Sequence, residues 1–253
     1  MFDEPFSHGD SYLHRADPRM KLVVAAVFSV VVAVLTSPAA AAAALAPAAF
    51  WALQARLPLA PVLGRLAAIN GFIVFIWAVV PATYGGAPAF SLGPVDFSAA
   101  GLRVALAITL KCNAIGLAFI ALVTTTPLPA LGAALRSLGV PATLCQLLLF
   151  TYRYVHVLRQ EFSRLSTAAR IRGFAPATNL HTYRTYAHMT AMLLVRSLDR
   201  AERVQRAMVL RGFDGAFRSL DEYALRRADA AYGALMLAAT LALAAWNILQ
   251  ATP

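Results

Sequence analysis

The sequence predicts an all-α polytopic membrane protein with about five transmembrane helices and two or three long amphipathic helices on the cytoplasmic side. Three observations lead there. The 253 residues are 60% hydrophobic and only 13% charged, with a mean hydropathy of +0.65, whereas a soluble domain carries about 25% charged residues. Apolar runs near span length alternate with short Pro- or Gly-bearing breaks. The net charge of +10 is concentrated: residues 127–229 hold 15 arginines against 7 acidic residues, and the rest of the chain is nearly balanced. An arginine-rich segment between apolar ones marks the inner face of a membrane.

The expected organisation follows in order. Residues 1–126 carry the N-terminal transmembrane helices, 127–227 a cytoplasmic helical region, and 228–253 a last transmembrane helix, all within one membrane domain. The N-terminus is acidic and polar with no apolar h-region, so no cleaved signal peptide is expected. Arg15, Arg19 and Lys21 stand before the first apolar run and hold that end inside. Residues 20–36 form a short Val-rich span that stops at Ser37-Pro38, and 39–55 return as an Ala-rich helix with Pro47 as a kink point. Residues 66–84 match the ~20 residues that cross about 30 Å of hydrocarbon. Residues 85–98 contain no Lys or Arg and form an outer loop. Residues 99–126 make a fourth span, with Lys111 and Asn113 at depth. A lysine there either lines a transport path or reaches a carbonyl of another helix.

Residues 131–138 form a short amphipathic helix. The helix over 141–173 has too short an apolar stretch before Arg153 to cross comfortably and lies at the inner side. From 182 to 210 the pattern is the clearest: at ~100° per residue Tyr183, Ala187, Ala191, Leu194 and Leu198 share one face, while Arg196, Arg200, Arg203 and Arg206 share the opposite arc. Asp199 with Arg203 and Glu202 with Arg206 are favourable i,i+4 pairs. Residues 228–249 give the fifth span, with Trp246 as an interfacial anchor.

Several chemistries are disfavoured. No Gly-x4-Gly-Lys-Ser/Thr loop exists, and with two lysines in the chain nucleotide binding of that type is excluded. His8, His14, His156, His181 and His188 are scattered without acidic partners, so no metal site is expected. Cys112 and Cys145 lie in apolar runs as free thiols. No basic, aromatic-interleaved module stands apart from the spans, which argues against nucleic acid. Asp214 with Asp221 and Asp229 lacks the spacing that metal-dependent lipid phosphotransferases need, so an integral membrane enzyme acting on a lipid-linked substrate is kept only as an alternative.

The singular feature is a repeated helix ending: Ile171-Arg172-Gly173-Phe174 and Leu210-Arg211-Gly212-Phe213. Glycine just past a helix stops it, because it alone takes positive φ without a Cβ clash. An arginine in the last turn also offsets the helix dipole, so one such ending is an ordinary stop. Two matched copies, both in the arginine-rich region, point to a surface that something reads. Arginine's planar fork suits a carboxylate-bearing partner.

With these tips, and the segment Leu13-His14-Arg15-Ala16-Asp17-Pro18-Arg19-Met20-Lys21-Leu22, the chain resembles over its whole length the transmembrane T component of energy-coupling-factor transporters, specifically the CbiQ type of cobalt uptake. The resemblance implies that Ile171, Arg172, Gly173, Leu210, Arg211 and Gly212 bind two ATP-binding-cassette subunits, with Ile and Leu standing where that family often has Ala. It further implies that Tyr183, Ala187, Ala191, Leu194 and Leu198 face a substrate-binding membrane subunit of cobalt uptake type, and that a small accessory membrane subunit joins the complex. On this reading the chain is a non-catalytic, multi-pass subunit of a bacterial inner membrane with a cytoplasmic N-terminus. It holds no cofactor or metal; ATP and Mg belong to the partner subunits, and nickel is the other candidate cargo.

Overall fold

The computed structural model describes residues 9, 11–85, 88–92, 95–213 and 227–251. Nine helices and one hairpin of strands make up those residues, and they fall into two compact units, one comprising Leu135–Asp221 and the other the segments on either side of it.

The larger unit is built on α2 (Pro18–Val34), α3 (Pro38–Gln54), α4 (Leu59–Thr83), α5 (Ala99–Leu122) and α9 (Arg227–Ala251), preceded by a single turn, α1 (Tyr12–Arg15). Among the described residues, α4, α5 and α9 are long and apolar enough to cross a membrane, and α3 is a shorter apolar helix. At 17 residues each, α2 and α3 sit at the low end of the ~17–25 residues that suffice for a span. The five apolar helices expected are therefore present, with α4 starting earlier than the charge pattern indicated. Arg65 lies inside α4 rather than ahead of it, because Leu59 to Arg65 already has helical capacity once Pro58 is passed. Pro47 does not divide α3.

Alanine sets the packing. Ala40, Ala44 and Ala48 form a stripe at four-residue spacing on α3, and Ala114, Ala118 and Ala121 line α5; all six are fully or almost fully buried. In hydrocarbon there is no hydrophobic force between helices, so association relies on close backbone approach across small residues. Around this seam pack Val24, Phe28 and Val32 of α2, Trp51 of α3 and Met236 of α9, with Phe28 and Trp51 edge to face at 5.0 Å.

Several polar side chains of the apolar helices are paired, as hydrocarbon demands. Asn70 of α4 and Asn113 of α5 exchange two amide hydrogen bonds, each 2.9 Å, and Trp77 Nε1 donates to Thr109 Oγ1 at 2.9 Å. Lys111 donates through Nζ to the Ala33 carbonyl at 3.0 Å, the second of the two roles open to it. Asn247 Oδ1 accepts from the backbone N–H groups of Thr36 and Ser37 at 3.1 and 3.3 Å, fastening α9 to the α2–α3 turn.

Arg19 and Lys21 lie within α2 rather than ahead of it. Lys21 is not a solvated flanking charge: it is 4% exposed, and its Nζ donates to the Leu13 carbonyl at 2.9 Å. Asp17 caps α2 by accepting from Arg19 N at 2.8 Å with Pro18 at the first helical position, the geometry that proline and an acidic cap favour. Tyr12 donates to Asp229 Oδ1 at 3.2 Å, joining α1 to α9. The outer loop contains an antiparallel pair, β1 (Pro88–Leu92) with β2 (Val95–Ser98), where only irregular chain was expected. Strand-favouring Phe and Val on either side of Gly93-Pro94 explain the pairing.

A Cβ at Gly101 would lie 2.6 Å from the Pro81 Cα, whereas Gly71 has open space around it. Gly101→Ala is expected to destabilise the detergent-solubilised protein by about 1–3 kcal/mol, and Gly71→Ala to leave it within about 0.5 kcal/mol; thermal melts of the two variants side by side check this. Asn113→Ala should cost about 0.6–2 kcal/mol, with most of that absent in an Asn70→Ala background, as a double-mutant cycle would read.

Candidate functional site

The smaller unit holds α7 (Ala142–Ile171) and α8 (Leu180–Leu210), entered from a short helix, α6 (Leu128–Ser137). Neither α7 nor α8 is among the helices apolar enough to cross a membrane. The connection between them is tightly fixed. Asn179 caps α8 by accepting from Thr182 N at 2.8 Å, and Thr182 Oγ1 accepts from Ala177 N at 3.0 Å. Phe174 packs edge-on against Tyr186 at 5.7 Å.

Both helices end in the same way. At the first, Phe174 N donates to the Ala169 carbonyl at 3.1 Å and Gly173 N to Arg170 at 3.0 Å; at the second, Phe213 N donates to Met208 at 3.0 Å and Gly212 N to Val209 at 3.0 Å. These are the paired bonds of a Schellman stop, and the glycines carry the required positive φ of 84° and 78°. A third stop of this type ends α6, with Gly139 at φ 92°, Val140 N on Leu135 and Gly139 N on Arg136. There the residue before the glycine is Leu138, so the stop itself does not require arginine.

What differs is exposure. Ile171 is 82% and Leu210 88% exposed, and Arg172, Gly173, Arg211 and Gly212 are exposed with them. Neither guanidinium forms an ion pair or side-chain hydrogen bond among the described residues. Each tip therefore presents an apolar knob and an unengaged planar cation at the negative end of a helix of about 30 residues. All six residues singled out in the sequence lie at these two ends, and the tips are separate rather than joined in one pocket.

The face of α8 that carries Tyr183, Ala187, Ala191, Leu194 and Leu198 is exposed at every one of those positions. Among the described residues it is an exposed, largely apolar stripe. Glu202 and Arg206 form the expected pair at 3.0 Å. Arg196 and Arg200 behave differently: both turn to Glu161 of α7, at 3.3 and 3.4 Å, and Arg164 joins them at 3.2 Å. Glu161, 13% exposed in its side chain, had no signal in the sequence beyond being the single acid in α7.

Asp229 of the enzyme alternative is buried and bonded to Tyr12, and Asp214 and Asp221 lie outside the described residues. No group of three or more His, Cys, Asp or Glu side chains comes together among the described residues.

Comparison with known proteins gives one consistent picture. A family model described as CbiQ, cobalt transport protein, matches residues 9–223. The cobalt transport protein CbiQ of Rhodobacter capsulatus is 35% identical over 174 residues, 69% of this chain and 64% of that relative's own length. Transmembrane proteins EcfT of energy-coupling-factor transporters are similar too: that of Brevibacillus brevis at 27% over 218 residues, 82% of each chain, and that of Leuconostoc gelidum at 29% over 225 residues, 83% of each.

Since Leu138 ends α6 in the same stop that Arg172 and Arg211 end, replacing either arginine with leucine is expected to change the melting free energy by no more than about 0.5 kcal/mol. Gly173→Ala and Gly212→Ala, which place a Cβ at positive φ, should each cost about 1–2 kcal/mol and fray the last turn. Hydrogen exchange of the amides of Phe174 and Phe213 reads the difference.

Proposed function

This chain belongs to the CbiQ cobalt transport protein family, and on that premise we propose that it is the transmembrane coupling component of an energy-coupling-factor importer for cobalt ions. The observation that supports this most directly is the pair of matched helix tips, each an exposed apolar residue beside an exposed arginine with no side-chain partner among the described residues, at a Schellman stop. Such a tip fits a groove with a carboxylate floor and an apolar wall. A bidentate guanidinium–carboxylate bond fixes orientation as well as position, and the apolar knob excludes water from it.

Two ATP-binding-cassette subunits are the proposed owners of those grooves, and they hydrolyse ATP with Mg while this chain catalyses nothing. Motion of the two subunits is passed to α7 and α8 as rigid bodies. The exposed stripe from Tyr183 to Leu198 carries the substrate-binding membrane subunit, and a small accessory membrane subunit completes the set. The cation crosses through those other subunits, in keeping with Lys111 being held by the Ala33 carbonyl. The complex sits in a bacterial inner membrane, with the N-terminus and the two tips on the cytoplasmic side. That orientation is supported by the 15 arginines of residues 127–229.

The test is the double variant Arg172→Ala/Arg211→Ala in the full complex. Cobalt accumulation should drop to background and the ATPase subunits should be lost on co-purification, while the variant inserts and melts as the parent does. Undiminished uptake together with intact co-purification would overturn the assignment.

A further inference from the structure

The two tips are related by more than their local sequence. Ile171-Arg172-Gly173-Phe174 and Leu210-Arg211-Gly212-Phe213 are 39 residues apart, and at the same offset Arg164 corresponds to Arg203 and Ala168 to Ala207. The residue that corresponds to Glu161 is Arg200. These two equivalent positions are the ones in contact, through Arg200 Nη2 and Glu161 Oε1 at 3.4 Å.

The helices run antiparallel through that contact. Phe150 to Leu158 of α7 faces Ser197 to Met208 of α8 across a groove of ≈ 480 Å³ on one side. Leu165 to Phe174 faces His181 to Met192 across a groove of ≈ 420 Å³ on the other. The two grooves lie one on each side of the place where the helices meet. Glu161 sits at that crossing, and its carboxylate is shared by Arg196 and Arg200 from the opposite helix and Arg164 from its own. When equivalent residues of two antiparallel helices meet, an approximate two-fold axis passes between them, and everything beyond is placed symmetrically. Arg172 follows Glu161 by eleven residues, and Arg211 follows Arg200 by eleven. At 1.5 Å per residue each arm is ~16 Å, so the tips lie on opposite sides of the crossing, separated by at most ~33 Å along the helix axes.

We propose that Glu161 is the positioning residue of the coupling helices: by gripping Arg196 and Arg200 it fixes the angle at which α7 crosses α8, and so holds the two arginine tips at equal arm lengths on either side of one fulcrum. This rests on the assignment of the tips as partner-binding. Exposed ion pairs contribute little to stability, and the three arginines here are one-third to three-quarters exposed, so the purpose of the cluster is geometric. Two bonds from the opposite helix, through Arg196 and Arg200 one turn apart, restrict rotation about the crossing more than a single pair would, while Arg164 holds the carboxylate in place on its own helix.

The experiment uses the full chain in lipid nanodiscs with Cys112 and Cys145 replaced by alanine, and spin labels on Thr167→Cys and Ala207→Cys, one on each arm. Pulsed electron paramagnetic resonance should give a single narrow distance, and Glu161→Gln, which keeps the volume and removes the charge, should broaden or shift it. Arg196→Gln/Arg200→Gln, which removes the same bonds from the other helix, should do so to the same extent, with little added on combination. In the assembled transporter, Glu161→Gln should lower cobalt accumulation at least about fivefold while ATP hydrolysis falls less than about twofold, raising the ATP used per ion. An unaltered narrow distance in Glu161→Gln overturns the fulcrum, and so does a broadened distance with uptake and ATP per ion unchanged. Should Arg172→Ala/Arg211→Ala leave uptake intact while Glu161→Gln still broadens the distance, it is the assignment of the tips that fails, not the crossing.

Discussion

A helix that ends in water leaves its last carbonyls unsatisfied, and the manner in which α7 and α8 resolve this governs what their ends can do. The left-handed glycines Gly173 and Gly212 let their own amides and those of Phe174 and Phe213 fold back onto those carbonyls. With the carbonyls satisfied from the backbone, no side chain is needed to cap them. Arg172 and Arg211 are thereby released from a task that a C-terminal arginine often performs, and their guanidinium groups remain available. The comparison within the molecule is direct, since α6 closes identically with Leu138 before its glycine. Where a plain stop is wanted the chain uses leucine; where a long helix ends in the open it uses arginine, with an exposed isoleucine or leucine beside it.

The other unit obeys a different solvent. In the apolar helices the strongest packing comes from the smallest residue, and the Ala40-Ala44-Ala48 stripe brings α3 against the alanines of α5. Bulkier side chains there would separate the backbones and forfeit dispersion contacts that lipid cannot replace. Polar side chains occur where they meet one another, as Asn70 meets Asn113, or where a helix end or turn supplies a free backbone group, as for Lys111 and Asn247. Both units are governed by the same requirement that backbone and side-chain polar groups find partners. The apolar unit satisfies it largely internally, whereas at the ends of α7 and α8 Arg172 and Arg211 have no side-chain partner among the described residues.

Helix identity and order were legible because apolar periodicity, Pro at first turns and Gly at last turns are local signals. All six tip residues could be found for the same reason: the glycine stop and the arginine before it are contiguous in the chain. What could not be read was anything that joins distant residues. Lys21 looks like a flanking positive charge by the topology rule, and only the fold shows it turned back onto the Leu13 carbonyl. Glu161 has nothing in its neighbourhood to distinguish it from a solvated surface acid, since two of its three partners lie 35 and 39 residues away. The arginine arc of α8 was visible as a pattern, but its use was not. An arc of like charges looks like a wet face until a single carboxylate from another helix is brought among them.

A pair of equal arms changes what the free arginines can transmit. If each tip is held by one of two moving subunits, a displacement applied at either end acts at the same distance from the Glu161 crossing, so neither subunit has a mechanical advantage over the other. A shift of about 5 Å at the end of an arm of ~16 Å corresponds to a turn of roughly 18° about the crossing. A rotation of that size carries the exposed stripe of α8 with it, because Tyr183, Leu194 and Leu198 belong to the same uninterrupted helix that Arg211 caps. Helix bending would dissipate such a motion; the absence of proline and glycine anywhere in α8 removes the usual sites at which a helix kinks. The same is true of α7. Two unbroken rods, crossing at a charged point and each ending in an arginine, would on the proposed docking turn a change of spacing at their ends into a change of tilt along their length.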